Sequence, residues 1–257
     1  MRIKNLLPNE AVAEYVERIL IIENAQSSVP FSLPLFANGS PTLLFNSAKG
    51  IMRNILSAHL ALFGQTITPD KITFTGGFTL VAYFFKPYSL TTIFKVSPYE
   101  LTDKPIDLDL VSPKKTILLQ DQLLNANTTE DMIALINSYI VSLVANSKND
   151  CAAIKYAATK IASDPSGKML TSLQKELFIS ERTFQRQFEK NIGIPPSLYR
   201  RIYQFNNGFQ QLNNRKFNKL SDIAFQNGYA DQSHYIRSFK EFTNLTPKDY
   251  LNFGSQP

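Results

Sequence analysis

The sequence is poor in the residues that hold small domains or metal centres together. Its 257 residues include one cysteine, Cys151, and two histidines, His59 and His234. A single thiol allows no intramolecular disulfide and no thiolate cluster, a usage that suits a reducing compartment. Two separated histidines leave little basis for a multi-histidine zinc or iron site. Long apolar runs are missing as well. Leu80-Val81-Ala82-Tyr83-Phe84-Phe85 is among the longest, far below the ~18–20 residues a membrane span needs. The chain starts basic, Met1-Arg2-Ile3-Lys4, but Glu10, Glu14 and Glu17 soon interrupt, and no apolar core of a signal peptide follows. No Ser/His/Asp or Cys/His arrangement and no phosphate-binding glycine loop emerges. The expectation is a soluble cytoplasmic protein with no membrane association, no cofactor and no metal, and not an enzyme.

What is present supports a folded core: hydrophobic residues make up 44% and charged residues 19%, a globular balance rather than a disordered one. The 27 Lys and Arg against 21 Asp and Glu give a formal charge of +6. That surplus is unevenly placed. Residues 1–149 carry 12 basic and 12 acidic side chains, whereas residues 150–257 carry 15 basic and 9 acidic. A basic half beside a neutral half points to a polyanionic partner for the former.

From about 31 to 97 the texture is that of strands. Thr42–Phe45, Lys71–Thr75 and Phe78–Phe85 are rich in β-branched and aromatic residues, and Asn38-Gly39, Thr68-Pro69-Asp70 and Gly76-Gly77 punctuate them. Such spacing predicts a small barrel or sandwich. A helix is expected before it, around Glu10–Ile22, and short helical pieces after it, near Ser89–Val96. Ser97–Pro113, with its prolines, reads as a connector.

Beyond about 115 the period becomes helical. Thr128-Thr129-Glu130-Asp131 has the form of a capping box. Met132, Leu135, Ile136, Tyr139, Ile140, Leu143 and Val144 then make a stripe at 3/4 spacing, expected to pack onto its own domain rather than to dimerise. Asn146-Ser147-Lys148-Asn149-Asp150 reads as a linker. Helices are expected at 151–162, 169–177, 180–190, 196–213, 219–227, 231–242 and 247–252. Pro196 and Pro247 suit a first helical turn.

A weak repeat lies within this basic half. Leu173-Gln174 followed by Ser180-Glu181-Arg182-Thr183-Phe184-Gln185-Arg186-Gln187-Phe188 parallels Ile223-Ala224 followed by Asp231-Gln232-Ser233-His234-Tyr235-Ile236-Arg237-Ser238-Phe239. Each copy has an N-cap residue, Ser180 or Asp231, and aromatics four and eight residues later. An i, i+4 aromatic pair shares one helix face and marks the core side. Arg186 and Arg237 both stand six residues past their caps. Helix, tight turn and capped helix are the outline of a helix-turn-helix, with Gly228 free to take the left-handed turn conformation. The outward face would present Arg182, Gln185 and Arg186 from one copy, and Gln232, Ser233, His234 and Arg237 from the other. Arginine and glutamine suit bidentate reading of guanine and adenine edges in the major groove. Ser180, Thr183, Asp231 and Lys240, at or near these helices, are the expected capping or phosphate-contacting residues. Two solvated amphipathic helices would show a similar pattern singly; two copies in register on the basic segment favour the reading face.

Residues 151–252 resemble the DNA-binding domain of AraC/XylS-type bacterial transcription regulators. The resemblance rests on Asp222-Ile223-Ala224, Gly228-Tyr229, Asp231-Gln232-Ser233-His234-Tyr235, Arg237, Phe239-Lys240, Thr246-Pro247 and Tyr250, with Ser180, Thr183, Gln185-Arg186, Phe188, Gly193 and Pro196 in the first copy. It implies two helix-turn-helix units joined by a long helix, here about 196–213, whose stripe Leu198, Ile202, Phe205, Phe209 and Leu212 suits a rigid core helix. Departures are Gln174 and Phe178, where a small residue and a turn glycine are usual, Gly208 where alanine is common, and Leu251 where arginine is usual. More faintly, Pro41–Asn46, Phe85–Ser89 and Glu100–Leu108 resemble an uncharacterised β-rich domain often found before this type of DNA-binding domain, with a cupin-like architecture by analogy.

The expected fold class is therefore α+β: an amino-terminal β-rich, cupin-like barrel or sandwich with flanking helices, then an all-α domain of two helix-turn-helix units. The expected division is a sensor domain over 1–115, a helical segment and linker over 116–149, and a DNA-binding domain over 150–257. The expected function is a sequence-specific regulator that binds double-stranded DNA. Its candidate further partners are a small-molecule effector, RNA polymerase and a second copy of the chain. Phe84, Phe85 and Tyr88 are candidates for a pocket, although aromatic core residues fit the same pattern. The alternative is a sensor or interaction protein whose DNA-binding domain is degenerate.

Overall fold

The computed structural model describes residues 1–25, 29–145 and 151–253. Its first half is a two-sheet sandwich, not a closed barrel. The strands are β1 (Arg2–Leu6), β2 (Val16–Asn24), β3 (Phe31–Leu35), β4 (Thr42–Asn46), β5 (Ile51–Met52), β6 (Ile55–Leu56), β7 (Leu60–Phe63), β8 (Asp70–Phe74), β9 (Phe78–Phe85) and β10 (Ile106–Asp107). One sheet has the order β1-β2-β9-β4-β7-β10 and the other β3-β8-β5-β6. The paired strands run antiparallel.

The central strand β9 shows how the layers form. Side chains alternate across a sheet. Phe78, Leu80, Ala82 and Phe84 therefore meet the smaller sheet, with Ile72 and Phe74 opposite. Val81, Tyr83 and Phe85 face the other way, into a core shared with helices. A strand covered on both faces needs apolar residues throughout, which is why β9 reads as an unbroken run.

The helix expected around Glu10–Ile22 is not there. Residues 10–15 make two successive turns, in which the amides of Val12 and Ala13 reach the Asn9 carbonyl and those of Tyr15 and Val16 the Val12 carbonyl. Val16–Asn24 is strand β2, paired with β9 from Val16 opposite Phe85 to Asn24 opposite Phe78. The alanines and glutamates at 10–14 favour helix locally, but Val16, Ile19, Ile21 and Ile22 are β-branched and find a partner strand. Pairing overrides a weak propensity. The connector over Ser97–Pro113 also holds more structure than expected, with β10 and a 3₁₀ turn at Leu108–Leu110.

The near-helical piece expected at Ser89–Val96 is a short π-helix over Leu90–Phe94. Helix α1 (Pro113–Leu124) follows, then α2 (Thr129–Val144). Thr128 caps α2, its hydroxyl oxygen accepting from the Asp131 amide at 3.1 Å. Met132, Ile136, Tyr139 and Ile140 of the expected stripe are buried, with Leu135, Leu143 and Val144 packed at the edge of the same core. The stripe is internal, and Tyr83 fastens it to the sheet by donating to the Ile133 carbonyl at 3.2 Å. The linker read over Asn146–Asp150 lies outside the described residues.

The helical half contains α3 (Ala152–Ser163), α4 (Met169–Glu176), α5 (Glu181–Ile192), α6 (Pro196–Asn213), α7 (Leu220–Gln226), α8 (Gln232–Thr243) and α9 (Pro247–Phe253). Pro196 opens α6 in its first turn. One buried apolar cluster runs from the helix-facing side of the large sheet into this half. Polar contacts cross the same boundary: Thr91 donates to the Asn191 carbonyl at 3.0 Å, and Lys155 pairs with Glu14 at 2.8 Å. No helix among the described residues is long and apolar enough to cross a membrane.

Candidate nucleic-acid interface

Helices α5 and α8 are built alike. Ser180 caps α5 by accepting from the Thr183 amide at 3.3 Å, and Asp231 caps α8 by accepting from the His234 amide at 2.7 Å. Both caps satisfy an amide that the helix leaves without a partner. Phe184, Phe188 and Ile192 on α5, and Tyr235, Phe239 and Phe242 on α8, are completely buried. Burying one such side chain is worth about 1.5–3 kcal/mol, so each helix has one rotational setting that strongly outweighs the others. That setting decides which side chains look outward.

The turns that precede them are also alike. Phe178 N–H donates to the Lys175 carbonyl and Ile179 N–H to the Gln174 carbonyl, each at 3.2 Å. In the second unit Gly228 N–H donates to Phe225 at 3.2 Å and Tyr229 N–H to Ala224 at 2.9 Å. Both are Schellman endings with a left-handed residue after the helix. The φ angle is 72° at Gly228 and 53° at Phe178. Phe178 thus takes the glycine conformation despite its side chain, which is 95% exposed. Its departure from the usual glycine changes the cost of the turn, not its form.

With the aromatic faces inward, Arg182, Gln185 and Arg186 are exposed on α5, and Gln232, Ser233, His234 and Arg237 on α8. Ser180, Asp231 and Lys240 are exposed and Thr183 is half-buried. No hydrogen bond or ion pair among the described residues engages the side chains of Arg182, Arg186, Arg237 or Lys240. Their donors are available to a ligand. Gln185 is engaged, its amide lying 3.3 Å from Glu181 Oε1. Ser180 and Thr183 bond each other at 3.0 Å, so these two hydroxyls serve the cap first. The His234 ring stands edge-on to Tyr229, with centroids 5.2 Å apart.

The connecting helix α6 has 18 residues, about 27 Å at ~1.5 Å per residue. Ile202, Phe205 and Leu212 of its expected stripe are buried, and Leu198 and Phe209 lie at the core's edge. Gly208 has a steric reason to differ from alanine. A Cβ there would sit 3.0 Å from the Tyr235 ring and 3.4 Å from Ile223. Close approach of α6 to α8 occupies that space.

Several positioning residues escaped the sequence reading. Gln204, buried on α6, donates to the carbonyls of Asn227 and Gly228 in the second turn. Arg200 donates to the Pro165 carbonyl at 2.9 Å and to Gln204 Oε1 at 3.3 Å. Asp222 accepts from the Lys219 amide at 2.8 Å and caps α7. Gln204 stands beside, not on, the apolar stripe Leu198, Ile202, Phe205, Phe209 and Leu212, so no local signal marked it. Gly193, which ends α5 at φ 95°, lies against Pro98 so tightly that a Cβ would meet its backbone at 2.7 Å.

The pocket expectation divides. Phe84 lines a cavity of about 640 Å³ between the sandwich and α6. Phe85 and Tyr88 do not; both are buried in the core on the opposite face of the large sheet. His59 is a structural residue, its Nδ1 2.7 Å from the Asn46 carbonyl oxygen.

Comparison with known proteins agrees with this construction. Residues 173–252 match a helix-turn-helix domain family, and residues 4–107 match a domain of unknown function, DUF6597. Among curated proteins no sequence match is found. Solved structures of ToxT from Vibrio cholerae share the fold. One, at 12% identity and a TM-score of 0.51, covers 90% of this chain and 98% of its own. Another, described as unsaturated fatty acid bound wild-type ToxT, has 12% identity and a TM-score of 0.52, covering 91% of this chain and 94% of its own. The chain thus joins an amino-terminal DUF6597 domain to a carboxy-terminal helix-turn-helix domain of the AraC type.

Proposed function

We propose that this protein is a sequence-specific regulator of transcription that binds double-stranded DNA in the cytoplasm and responds to a small molecule through its amino-terminal half. The observation that carries this reading is the pair of capped helices, α5 and α8. They present unengaged arginines, Arg186 and Arg237, in the same register on the half of the chain that holds the entire charge surplus. Base readout falls to Arg182, Gln185 and Arg186 on one helix and to Gln232, Ser233, His234 and Arg237 on the other. Lys240 and the capped helix starts formed by Ser180, Thr183 and Asp231 hold the phosphates. The proposed working units are 1–115 as sensor, 116–149 as a helical spacer and 150–257 as the DNA-binding unit. RNA polymerase and a second copy of the chain are the protein partners this role calls for. Catalysis has no part in it.

The cavity against α6 supports ligand responsiveness. Its walls come from both sheets of the sandwich and from the helix that separates the two reading helices, so an occupant touches both halves at once. The ToxT structure described as fatty acid bound shares this fold. A sensor with a degenerate DNA-binding domain would be expected to lose the first turn; its hydrogen bonds match those of the second, which favours two working units.

The test is titration of the full-length protein with duplex DNA at rising salt. Arginine and lysine contacts to phosphate predict a steep linear fall of log K with log salt. Absence of binding even at low salt would remove the regulator and leave the sensor.

A further inference from the structure

Phe178 is the most exposed large apolar residue among the described ones, at 95%. Single exposed apolar side chains are ordinary on a protein surface. This one also sits on a left-handed backbone, at φ 53°. The other described non-glycine residues in that conformation are polar, Asn54, Asp103 and Asn244 among them, and short polar side chains tolerate it best. A phenylalanine there strains the chain and recovers nothing by burial. Its ring enters neither apolar core, and no ring contact engages it among the described residues.

Strain kept without any internal return marks a side chain that serves something outside the chain. The position narrows what that is. Phe178 stands two residues before Ser180, the cap of α5, a separation of at most ~7 Å along the chain. Lys175 and Arg182 flank it in sequence, both exposed, with neither side chain in a hydrogen bond or ion pair among the described residues. The neighbouring carboxylates are engaged instead. Glu176 accepts from Tyr156 and from Ser172, each at 2.9 Å, and Glu181 from Gln185 at 3.3 Å. Leu177 and Ile179 pack against the core, so the apolar surface on offer is one ring wide. That is too little for a protein partner, whose patches run to hundreds of Å². A single ring among available cations at a helix start suits a polyanion that carries small apolar groups.

The major groove of DNA is such a surface. Beside its hydrogen-bonding edges it presents one apolar group, the 5-methyl of thymine. We propose that Phe178 is a specificity residue of the first unit, its ring packed on the methyl group of a thymine beside the bases read by α5. The inference rests on the DNA-binding reading above and adds to it a contact that arginine and glutamine cannot make. It buries apolar surface on both partners and neutralises no phosphate, so it selects sequence without steepening the salt dependence.

The test uses the full-length protein and the tightest duplex it recovers from a random pool, with each thymine replaced in turn by deoxyuridine. Loss of one methyl contact should weaken binding about fourfold at a single thymine, in the part of the site that depends on Arg186. Phe178→Gly should cost at least as much, with an unchanged slope of log K against log salt and no fall in the unfolding midpoint. In that variant the uracil replacement should have no further effect, which a merely structural role would not produce. Phe178→Leu should retain part of the thymine preference. Unchanged affinity in Phe178→Gly would overturn the inference, even if transcription fell, since the ring would then serve a protein. So would additive losses, or tolerance of uracil at every position. Failure to recover any duplex would overturn the DNA-binding reading as well, whereas tight binding indifferent to Phe178 removes this inference alone.

Discussion

The side-chain amide of Gln204 donates to the carbonyl of Gly228 at 3.0 Å, and to that of Asn227 at 2.9 Å. One buried residue of the connecting helix thereby holds the turn that precedes α8. Arg200 extends the link to the Pro165 carbonyl, in the loop that leads into the first unit. Rigid spacing of two reading helices needs such ties, because packing alone lets helices slide. Gln204→Leu keeps the volume and removes the donors. It should destabilise the protein by roughly 1–3 kcal/mol, seen as a lower denaturation midpoint, and weaken DNA binding further than folding alone accounts for.

Phe178 and Gly228 occupy the same left-handed position in the two turns. A residue with a Cβ is strained there, and the exposed Phe178 ring gains no burial in return. Phe178→Gly should therefore stabilise the protein by about 1 kcal/mol. A higher midpoint in urea with an unchanged slope would confirm it; a loss of stability would show that the ring makes contacts the turn needs.

Gly193 ends α5 and lies against Pro98 of the amino-terminal half. Gly193→Ala puts a Cβ into both a left-handed backbone and an occupied space, at a cost of about 2 kcal/mol or more. Gly167→Ala is the control, since nothing lies within 4 Å of its added Cβ. Thermal unfolding of the two variants should separate them clearly.

Arg237 and Lys240 lie one turn apart on the same exposed face, and neither side chain takes part in a hydrogen bond or ion pair among the described residues. Arg237→Ala should weaken specific binding by roughly 1–3 kcal/mol and relax discrimination at one base pair. Lys240→Ala should weaken specific and random DNA alike and lower the salt slope by about one. Equal losses on both DNAs in Arg237→Ala would make it a phosphate contact.

The second half of the chain was readable because its signals are local. Caps at Ser180 and Asp231, aromatics at four and eight residues beyond, and prolines at 196 and 247 lie within a few turns of the structure they specify. In the amino-terminal half the strands at Thr42–Phe45, Lys71–Thr75 and Phe78–Phe85 were readable from their β-branched and aromatic residues. Val16–Asn24 misled because its partner strand stands some sixty residues away, and the pairing, not the propensity, decides its form. Gln204 was hidden for a related reason, since its two acceptors belong to a turn more than twenty residues downstream.

The central claim is that two helices of one chain read DNA together. Selection of bound duplexes from a random pool by the full-length protein tests it most directly. The account predicts a motif in two parts, their centres separated by about one helical turn of DNA, with one part lost in Arg186→Ala and the other in Arg237→Ala. A pool that returns no motif would contradict it.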